Sequence, residues 1–340
     1  MSANKQPLTI CFVAGKSGGH IIPCLTLAHQ WHDKYPSGQI LFISSNSMLD
    51  KKLTNSSEIT YNYYLKLGNI PRKDFIAYPK FLYQLIHSFF SSIRILKKHR
   101  PNYVISTGGI IALPVIFAAQ LLRIPVELWE LNAVPGKAIF FLARYARKIH
   151  VCFPQAQQFF KKNTCVISRY PVRYHVSDKI SQTGALSKIV LSTSRFTLFI
   201  IGGSQGAASL STLIQKFVSQ HAEFAHKLQC IHQTGSDDQT DWQSWYQEHI
   251  IPAIVFGYQH DIATYFCAAD LVLSRAGAGG IFEIDFFNKP CILVPLNSGQ
   301  TRHQLDNAHA YAQTHPNTCF TGTNDQEIIR ELVTQIKAKN

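Results

Sequence analysis

The sequence predicts an α/β protein of two similar parallel-sheet domains facing a cleft, and three observations carry that prediction. An apolar run, a glycine-rich turn and a helix-like stretch occur together twice: LTICFV before AGKSGGHIIP (Ala14–Pro23), and FTLFI before IGGSQGAASL (Ile201–Leu210). Strand-like and helix-like segments alternate through both halves, the rhythm of a parallel sheet with helices on both faces. The chain has 340 residues, enough for two domains that each bury their own core.

In the first half the strand candidates are Leu8–Val13, Gln39–Ile43, Tyr103–Ile105, Val126–Leu128 and Ile149–Cys152, which are short apolar runs. Helices are expected at Pro23–Lys34, Pro79–Lys98, Leu113–Leu122 and Lys137–Tyr145. Tyr174 to Ser194 is polar and rich in Ser and Thr, without periodicity, and reads as a linker. In the second half strands are expected at Thr197–Ile201, Gln229–His232, Ala253–Phe256, Leu271–Ser274 and Cys291–Val294. Helices should start after Gly206, Asp261, Gly279 and Gln304. The expected division is therefore 1–173, a linker over 174–194, and 195–340.

Composition narrows the function. Hydrophobic residues make up 46% and charged residues only 16%, so the chain is globular, yet its net charge is +13. So unbalanced a charge implies an anionic partner: a phosphorylated substrate, an acidic membrane surface or nucleic acid. No groove-reading motif accompanies it, so nucleic acid is not expected. The eight cysteines are scattered without a CxxC pair, which argues against zinc and for a reducing compartment. Leu8–Val13 is too short for a signal-peptide core, and no run is long enough for a transmembrane helix.

In an open α/β sheet ligands bind at the carboxyl ends of the strands. Five post-strand loops are unusual there: GKSGGH, STGGIIALP from Ser106, WELN from Trp129, IGGSQGA from Ile201 and SRAGAGGIFE from Ser274. A strand, a glycine turn and a helix N-terminus make an anion cradle, because the amides can approach the ligand and the dipole favours negative charge. His20 ends the first turn, where the dipole disfavours the imidazolium and a neutral ring suits general-base work. It could equally cap the helix or touch phosphate. Glu283, on the helix after Arg275, could accept two hydrogen bonds from a ribose diol or be an ordinary helix acid. Ser204 and Gln205 lie in the second turn, which matches neither the Walker pattern nor GxGxxG. Asp237 and Asp238 are adjacent in a polar loop that reads as solvated. No metal and no cofactor is expected. Pro71 to Arg100 interleaves rings (Phe75, Tyr78, Phe81, Tyr83, Phe89, Phe90) with bases (Arg72, Lys73, Lys80, Arg94, Lys97, Lys98, Arg100), a pattern suited to an anionic membrane surface or to a core helix with a basic end.

Together these motifs resemble the MurG-type N-acetylglucosaminyltransferases of peptidoglycan synthesis. That family's GGTGGH, GGY and GGSQGA read here as GKSGGH, GGI and GGSQGA. Its EQN reads ELN at Glu130–Asn132, and its NPVR reads YPVR at Tyr170–Arg173. Its RSGA-to-SE segment reads RAGAGGIFE at Arg275–Glu283, and its closing segment reads HQLDNA at His303–Ala308. The resemblance implies a GT-B fold of two Rossmann-like domains, with an N-terminal acceptor domain and a C-terminal donor domain. It implies inverting transfer of N-acetylglucosamine from UDP-N-acetylglucosamine to the undecaprenyl-linked muramoyl-pentapeptide, lipid I to lipid II. The site would be peripheral, at the cytoplasmic face of the inner membrane.

Residue by residue, the resemblance places Ser17, Gly18 and Gly19 near phosphates, Asn132 on the donor sugar, and Arg173 and Ser204 on UDP. Gln259 falls in the loop near uracil. Ala278, Gly279, Gly280, Ile281, Phe282 and Glu283 form the uridine and sugar pocket, with Glu283 on the ribose. Gln304 meets the transferred sugar, and His20 is the base. The chain departs from the family at Lys16 (a glycine there), Ile110 (an aromatic) and Leu131 (Gln). Lys16 adds charge where the resemblance expects a pyrophosphate, and Ile110 and Leu131 lie on its acceptor side, so a transferase acting on another lipid or glycan, or a UDP-sugar-binding relic without turnover, are the alternatives.

Overall fold

A computed structural model describes residues 8–71, 76–161, 164–203, 208–235, 238–296, 303–316 and 318–339. The chain divides into two compact units, Met1–Arg173 and Tyr174–Asn340. Unit 1 runs β1 (Thr9–Val13), α1 (Gly18–Lys34), β2 (Gln39–Ser45), α2 (Met48–Leu53), β3 (Tyr61–Leu65), α3 (Ala77–His99), β4 (Tyr103–Ser106), α4 (Ala112–Leu121), β5 (Val126–Glu130), α5 (Lys137–Leu142), β6 (Lys148–Val151) and β7 (Cys165–Ile167). All neighbouring strands pair in parallel, in the order β3-β2-β1-β4-β5-β6-β7. The order reverses between β1 and β4, which makes their post-strand loops the switch point of the sheet.

β1 is buried along its whole length because both its faces are covered. Ile10 and Phe12 pack with Ile21, Cys24, Leu25 and Ala28 of α1. Cys11 and Val13 point the other way, into a cluster with Ile95, Leu96, Val115 and Ile116 of α3 and α4. The period-2 alternation of a strand thus serves two helical layers. α1 begins at Gly18, five residues before the expected start at Pro23. Pro23 sits buried inside the helix, and the GGH turn before it carries little helical propensity, so the sequence under-read this end. β3 and β7 were not anticipated; β3 is partly exposed and polar-interrupted, and β7 has three residues.

Unit 2 runs α6 (Gln182–Lys188), β8 (Phe196–Ile201), α7 (Ala208–Gln220), β9 (Leu228–Gln233), α8 (Trp242–Glu248), β10 (Ala253–Phe256), α9 (Ala263–Ala268), β11 (Leu271–Ser274), α10 (Ala278–Phe286), β12 (Cys291–Leu293), α11 (His303–Thr314), β13 (Cys319–Thr321) and α12 (Asp325–Ala338). Its parallel order is β10-β9-β8-β11-β12-β13, the same winding about a first strand, here β8. Leu210, Leu213, Ile214 and Phe217 of α7 and Ile328, Ile329, Leu332 and Ile336 of α12 close one face over Leu198 and Ile200.

The stretch 174–194, expected as a linker, carries α6. Ser181 caps it by accepting from the Gly184 amide at 3.2 Å, and Ala185 and Leu186 are buried. Gln182 Nε2 donates to the Ala268 carbonyl at 3.1 Å and to Asp270 Oδ1 at 2.8 Å. Two buried apolar side chains are enough to dock so short a helix but too few to show a period. All eight cysteines are buried and free, four in each unit.

Candidate active site

In unit 1 the loops after β1 and β4 meet at the switch point. Gly15 is required by space: a Cβ there would stand 2.6 Å from Asp50 Oδ2 and 2.9 Å from the Ser45 nitrogen. Lys16 follows in the left-handed region, at φ 69°. The buried Asp50 carboxylate, on α2, holds this turn by accepting from the Lys16 amide at 3.0 and 3.2 Å and from the Ser45 amide at 3.0 Å. Ser17 then caps α1 in extended conformation without a side-chain cap bond. The first intrahelical donors are His20 and Ile21, each 3.1 Å from the Ser17 carbonyl, so the Gly18 and Gly19 amides stand ahead of the helical ladder. No acid occupies this first turn, which keeps the positive end of the helix available to an anion.

His20 is half-buried, with Nδ1 2.9 Å from the Thr107 carbonyl oxygen. A carbonyl only accepts, so Nδ1 carries the proton and the lone pair lies on Nε2. Thr107 Oγ1 donates back to the His20 carbonyl at 2.7 Å. Gly108 and Gly109 follow at φ 100° and 85°. A Cβ on Gly108 would press Ile139 at 3.0 Å and approach His20 Cε1 at 3.7 Å, and one on Gly109 would meet the Gly15 carbonyl at 3.1 Å. The two glycine motifs of this unit therefore pack on each other, with the histidine ring between them.

The WELN loop is organised by Glu130, which is only 2% exposed. It accepts from the Asn132 amide at 2.8 Å, Asn132 Nδ2 at 3.2 Å and the Gly136 amide at 2.9 Å. Burial pushes its carboxyl up to about 7, and the bonds from Asn132 and Gly136 oppose the rise. The bond to Nδ2 orients the half-buried Asn132 amide. Leu131, where the related family has Gln, is buried, and Ile110 packs against the core.

In unit 2 the switch point lies between β8 and β11. Ser204 and Gln205, in the second glycine turn, lie outside the described residues. Arg275, at the end of β11, is buried; its guanidinium donates to the Val294 carbonyl at 2.9 Å and to Ser209 Oγ in the first turn of α7. It therefore ties the exit of β12 to the start of α7. Gly277 caps α10 in extended conformation, and Ile281 is the first residue to bond back to it, at 3.0 Å. That puts the amides of Ala278, Gly279 and Gly280 at an acid-free helix start. The predicted pocket residues separate by face: Ala278 and Ile281 are buried, whereas Gly279, Gly280, Phe282 and Glu283 are partly open.

Gln304, in the first turn of α11, accepts through Oε1 from the Leu296 amide at 3.0 Å, and Asn307 Nδ2 reaches the Ala276 carbonyl at 3.4 Å. The closing motif thus packs on the RAGA turn. Gln259 is exposed and accepts from Tyr265 Oη at 3.0 Å. Arg173 is half-buried at the end of unit 1, after β7. Asp237 lies outside the described residues, while Asp238, read as solvated, accepts from the Thr240 amide at 2.9 Å and Trp242 Nε1 at 2.8 Å. Asp50, Thr107 and Glu130 were missed as site residues: each acts through a contact distant in sequence or on backbone amides, and only the acid closing an apolar strand hinted at Glu130.

The N-terminal domain model of glycosyltransferase family 28 matches residues 10–151, and its C-terminal domain model matches residues 197–340. A UDP-N-acetylglucosamine–N-acetylmuramyl-(pentapeptide) pyrophosphoryl-undecaprenol N-acetylglucosamine transferase of Trichlorobacter lovleyi is 30% identical over 318 residues, spanning 89% of this chain and 82% of that protein. The transferase of the same name from Protochlamydia amoebophila is 31% identical over 300 residues, 87% of this chain and 78% of the relative. The crystal structure of Acinetobacter baumannii MurG superposes with a TM-score of 0.76 at 23% identity, covering 97% of this chain and 91% of that one, and shows the fold to be the same. With both domain models matched in order and relatives of one name aligned through both units, the chain belongs to glycosyltransferase family 28, among the UDP-N-acetylglucosamine–N-acetylmuramyl-(pentapeptide) pyrophosphoryl-undecaprenol N-acetylglucosamine transferases.

Proposed function

We propose that the chain is an inverting hexosyltransferase that moves N-acetylglucosamine from UDP-N-acetylglucosamine to a lipid-linked muramoyl-pentapeptide. The observation that carries the reading is His20, held at the switch point of unit 1 as the Nδ1–H tautomer by the Thr107 carbonyl at 2.9 Å. In this mechanism Nε2 takes the proton of the acceptor sugar hydroxyl. The hydroxyl oxygen forms a bond to the anomeric carbon of the donor sugar as the bond from that carbon to the UDP oxygen breaks. The electron pair leaves with UDP, whose charge is met by helix-start amides, Ser204 and Arg173. Glu283 and the open residues of α10 hold the nucleoside and sugar, Gln259 lies beside uracil, and Gln304 and Asn132 contact the sugar.

The same reading puts unit 1 on a membrane. No helix among the described residues is long and apolar enough to cross one. Along α3, however, Leu82, Tyr83, Ile86 and Phe90 are exposed, next to a groove of about 530 Å³ lined by Leu85, Ile86, Phe89, Pro114, Phe117 and Leu121. Arg144 lies over the Phe141 ring at 4.7 Å, and Phe117 meets that ring edge-on at 6.2 Å. Rings and apolar side chains beside bases suit an anionic headgroup layer, here the cytoplasmic face of the inner membrane. Lys97, Lys98 and Arg100 lie at the far end of α3, roughly 10 Å or more along the axis from Phe90.

Transfer of labelled N-acetylglucosamine from UDP-N-acetylglucosamine to purified lipid I tests the function. Product with lipid I supports it, and turnover only with other lipid or glycan acceptors replaces the acceptor. Donor binding without any turnover makes the chain a UDP-sugar binder.

A further inference from the structure

Lys16 stands in the first glycine turn in a conformation that glycine adopts freely and an L side chain adopts at a steric cost. The turn does not need the lysine. Its geometry is enforced through the backbone, by the Lys16 amide on both oxygens of buried Asp50 at 3.2 and 3.0 Å, a contact open to glycine at the same place. The side chain therefore adds one thing, an ammonium. Nζ donates to Asn69 Oδ1 at 3.2 Å, a neutral acceptor, and among the described residues it forms no salt bridge with a carboxylate. The lysine is half-buried; desolvation lowers its pKa and Asp50 acts against that. A partly desolvated cation without a direct carboxylate partner among the described residues thus sits on the turn that presents the Gly18 and Gly19 amides and leads to His20.

We propose that Lys16 is a specificity residue that binds the pyrophosphate of the lipid-linked acceptor, exchanging the Asn69 carboxamide for a phosphate oxygen. The inference rests on the transferase reading above and extends it to a residue where the related family has glycine. The acceptor is favoured over the nucleotide because of where the ammonium reaches. Asn69 belongs to the segment between β3 and α3, and α3 carries the exposed apolar side chains. A pyrophosphate whose tail stays in the bilayer is confined to that side of the turn, whereas a soluble nucleotide is not. An ammonium–phosphate hydrogen bond is also charge-assisted, which the bond to Asn69 is not.

The test is co-sedimentation with phosphatidylcholine vesicles containing polyprenyl pyrophosphate, using the full chain and its Lys16→Gly and Lys16→Arg variants. Lys16→Gly should bind roughly ten- to a hundredfold more weakly, the scale of a hydrogen bond to a charged group. Lys16→Arg should bind like the parent, vesicles with unphosphorylated polyprenol should not distinguish the three, and Lys16→Gly should melt no lower than the parent. In transfer assays the glycine variant should raise KM for the lipid acceptor and leave KM for UDP-N-acetylglucosamine within about twofold. Equal vesicle binding by parent and Lys16→Gly overturns the proposal, as does a rise confined to the nucleotide KM or a failure of arginine to restore binding. The vesicle arm needs no turnover. A protein that transfers no sugar yet loses pyrophosphate binding on Lys16→Gly would keep the lysine's role and remove the transferase reading.

Discussion

His20→Asn separates catalysis from structure at this site. Asparagine carries its Nδ2 on Cγ, as histidine carries Nδ1, so the amide N–H can keep the 2.9 Å bond to the Thr107 carbonyl. What disappears is Nε2 and its lone pair. The asparagine variant should therefore fold nearly as well as the parent, while His20→Ala also leaves the Thr107 carbonyl short of a donor and loses roughly 0.5–1.5 kcal/mol of stability. Both should lose the general base, worth about 10²–10⁴ in rate, or roughly 2.7–5.5 kcal/mol of barrier. The assay is initial-rate transfer to lipid I across pH, with donor affinity measured separately. The parent should lose activity toward acid as the imidazole protonates, and the variants should lack that limb. Donor binding should change little. A His20→Asn protein with parental turnover and an unaltered acid limb would falsify the catalytic assignment and leave the ring as packing for Gly108 and Gly109.

Glu130 makes a prediction about pH and stability. Its folded pKa of about 7 lies above the ordinary carboxyl value, so its contribution is fully present at low pH and is lost as pH rises through about 7. At about 1.4 kcal/mol per unit, the parent should lose roughly 3 kcal/mol relative to Glu130→Gln between about pH 4.5 and 7.5; equilibrium denaturation showing a constant difference would refute it. Glu283→Ala should weaken UDP binding by about 1.5–3 kcal/mol by calorimetry, and an unchanged affinity in a folded variant removes the ribose role. Replacing Leu82, Tyr83 and Phe90 by serine should abolish association with anionic vesicles in a way that salt does not mask. Neutralising Lys97, Lys98 and Arg100 should cost at most about 1 kcal/mol each, and only at low salt. Full binding after the serine substitutions would move the docking surface elsewhere.

The fold was legible because its central strands must be apolar on both faces and its glycine turns must follow them. β1 and β8, buried throughout, and the turns after them could be read without any long-range information. What escaped was local structure whose stability comes from elsewhere. β3, β7 and β13 are short strands at or next to the sheet margins, and α6 needs its bonds to Ala268 and Asp270. The site divided in the same way. His20 could be singled out as a candidate by its place after the glycines, but Thr107, whose carbonyl meets its Nδ1, lies 87 residues away. Asp50 likewise reaches the Lys16 amide across 34 residues. Position 16 is the instructive case, since a lysine among glycines reads as a break in the motif, yet its backbone keeps the glycine conformation.

The even division of buried thiols between the two units has a practical consequence. With Cys11, Cys24, Cys152 and Cys165 in one and Cys230, Cys267, Cys291 and Cys319 in the other, each unit carries four internal reporters and no exposed one. A thiol reagent can reach them only when the surrounding core opens, so labelling read by intact mass and then by peptide mapping would record how often each unit breathes, in one sample and without an engineered residue. If the units open independently, modification would arrive in two populations of four. If they open together, no half-labelled molecule would accumulate.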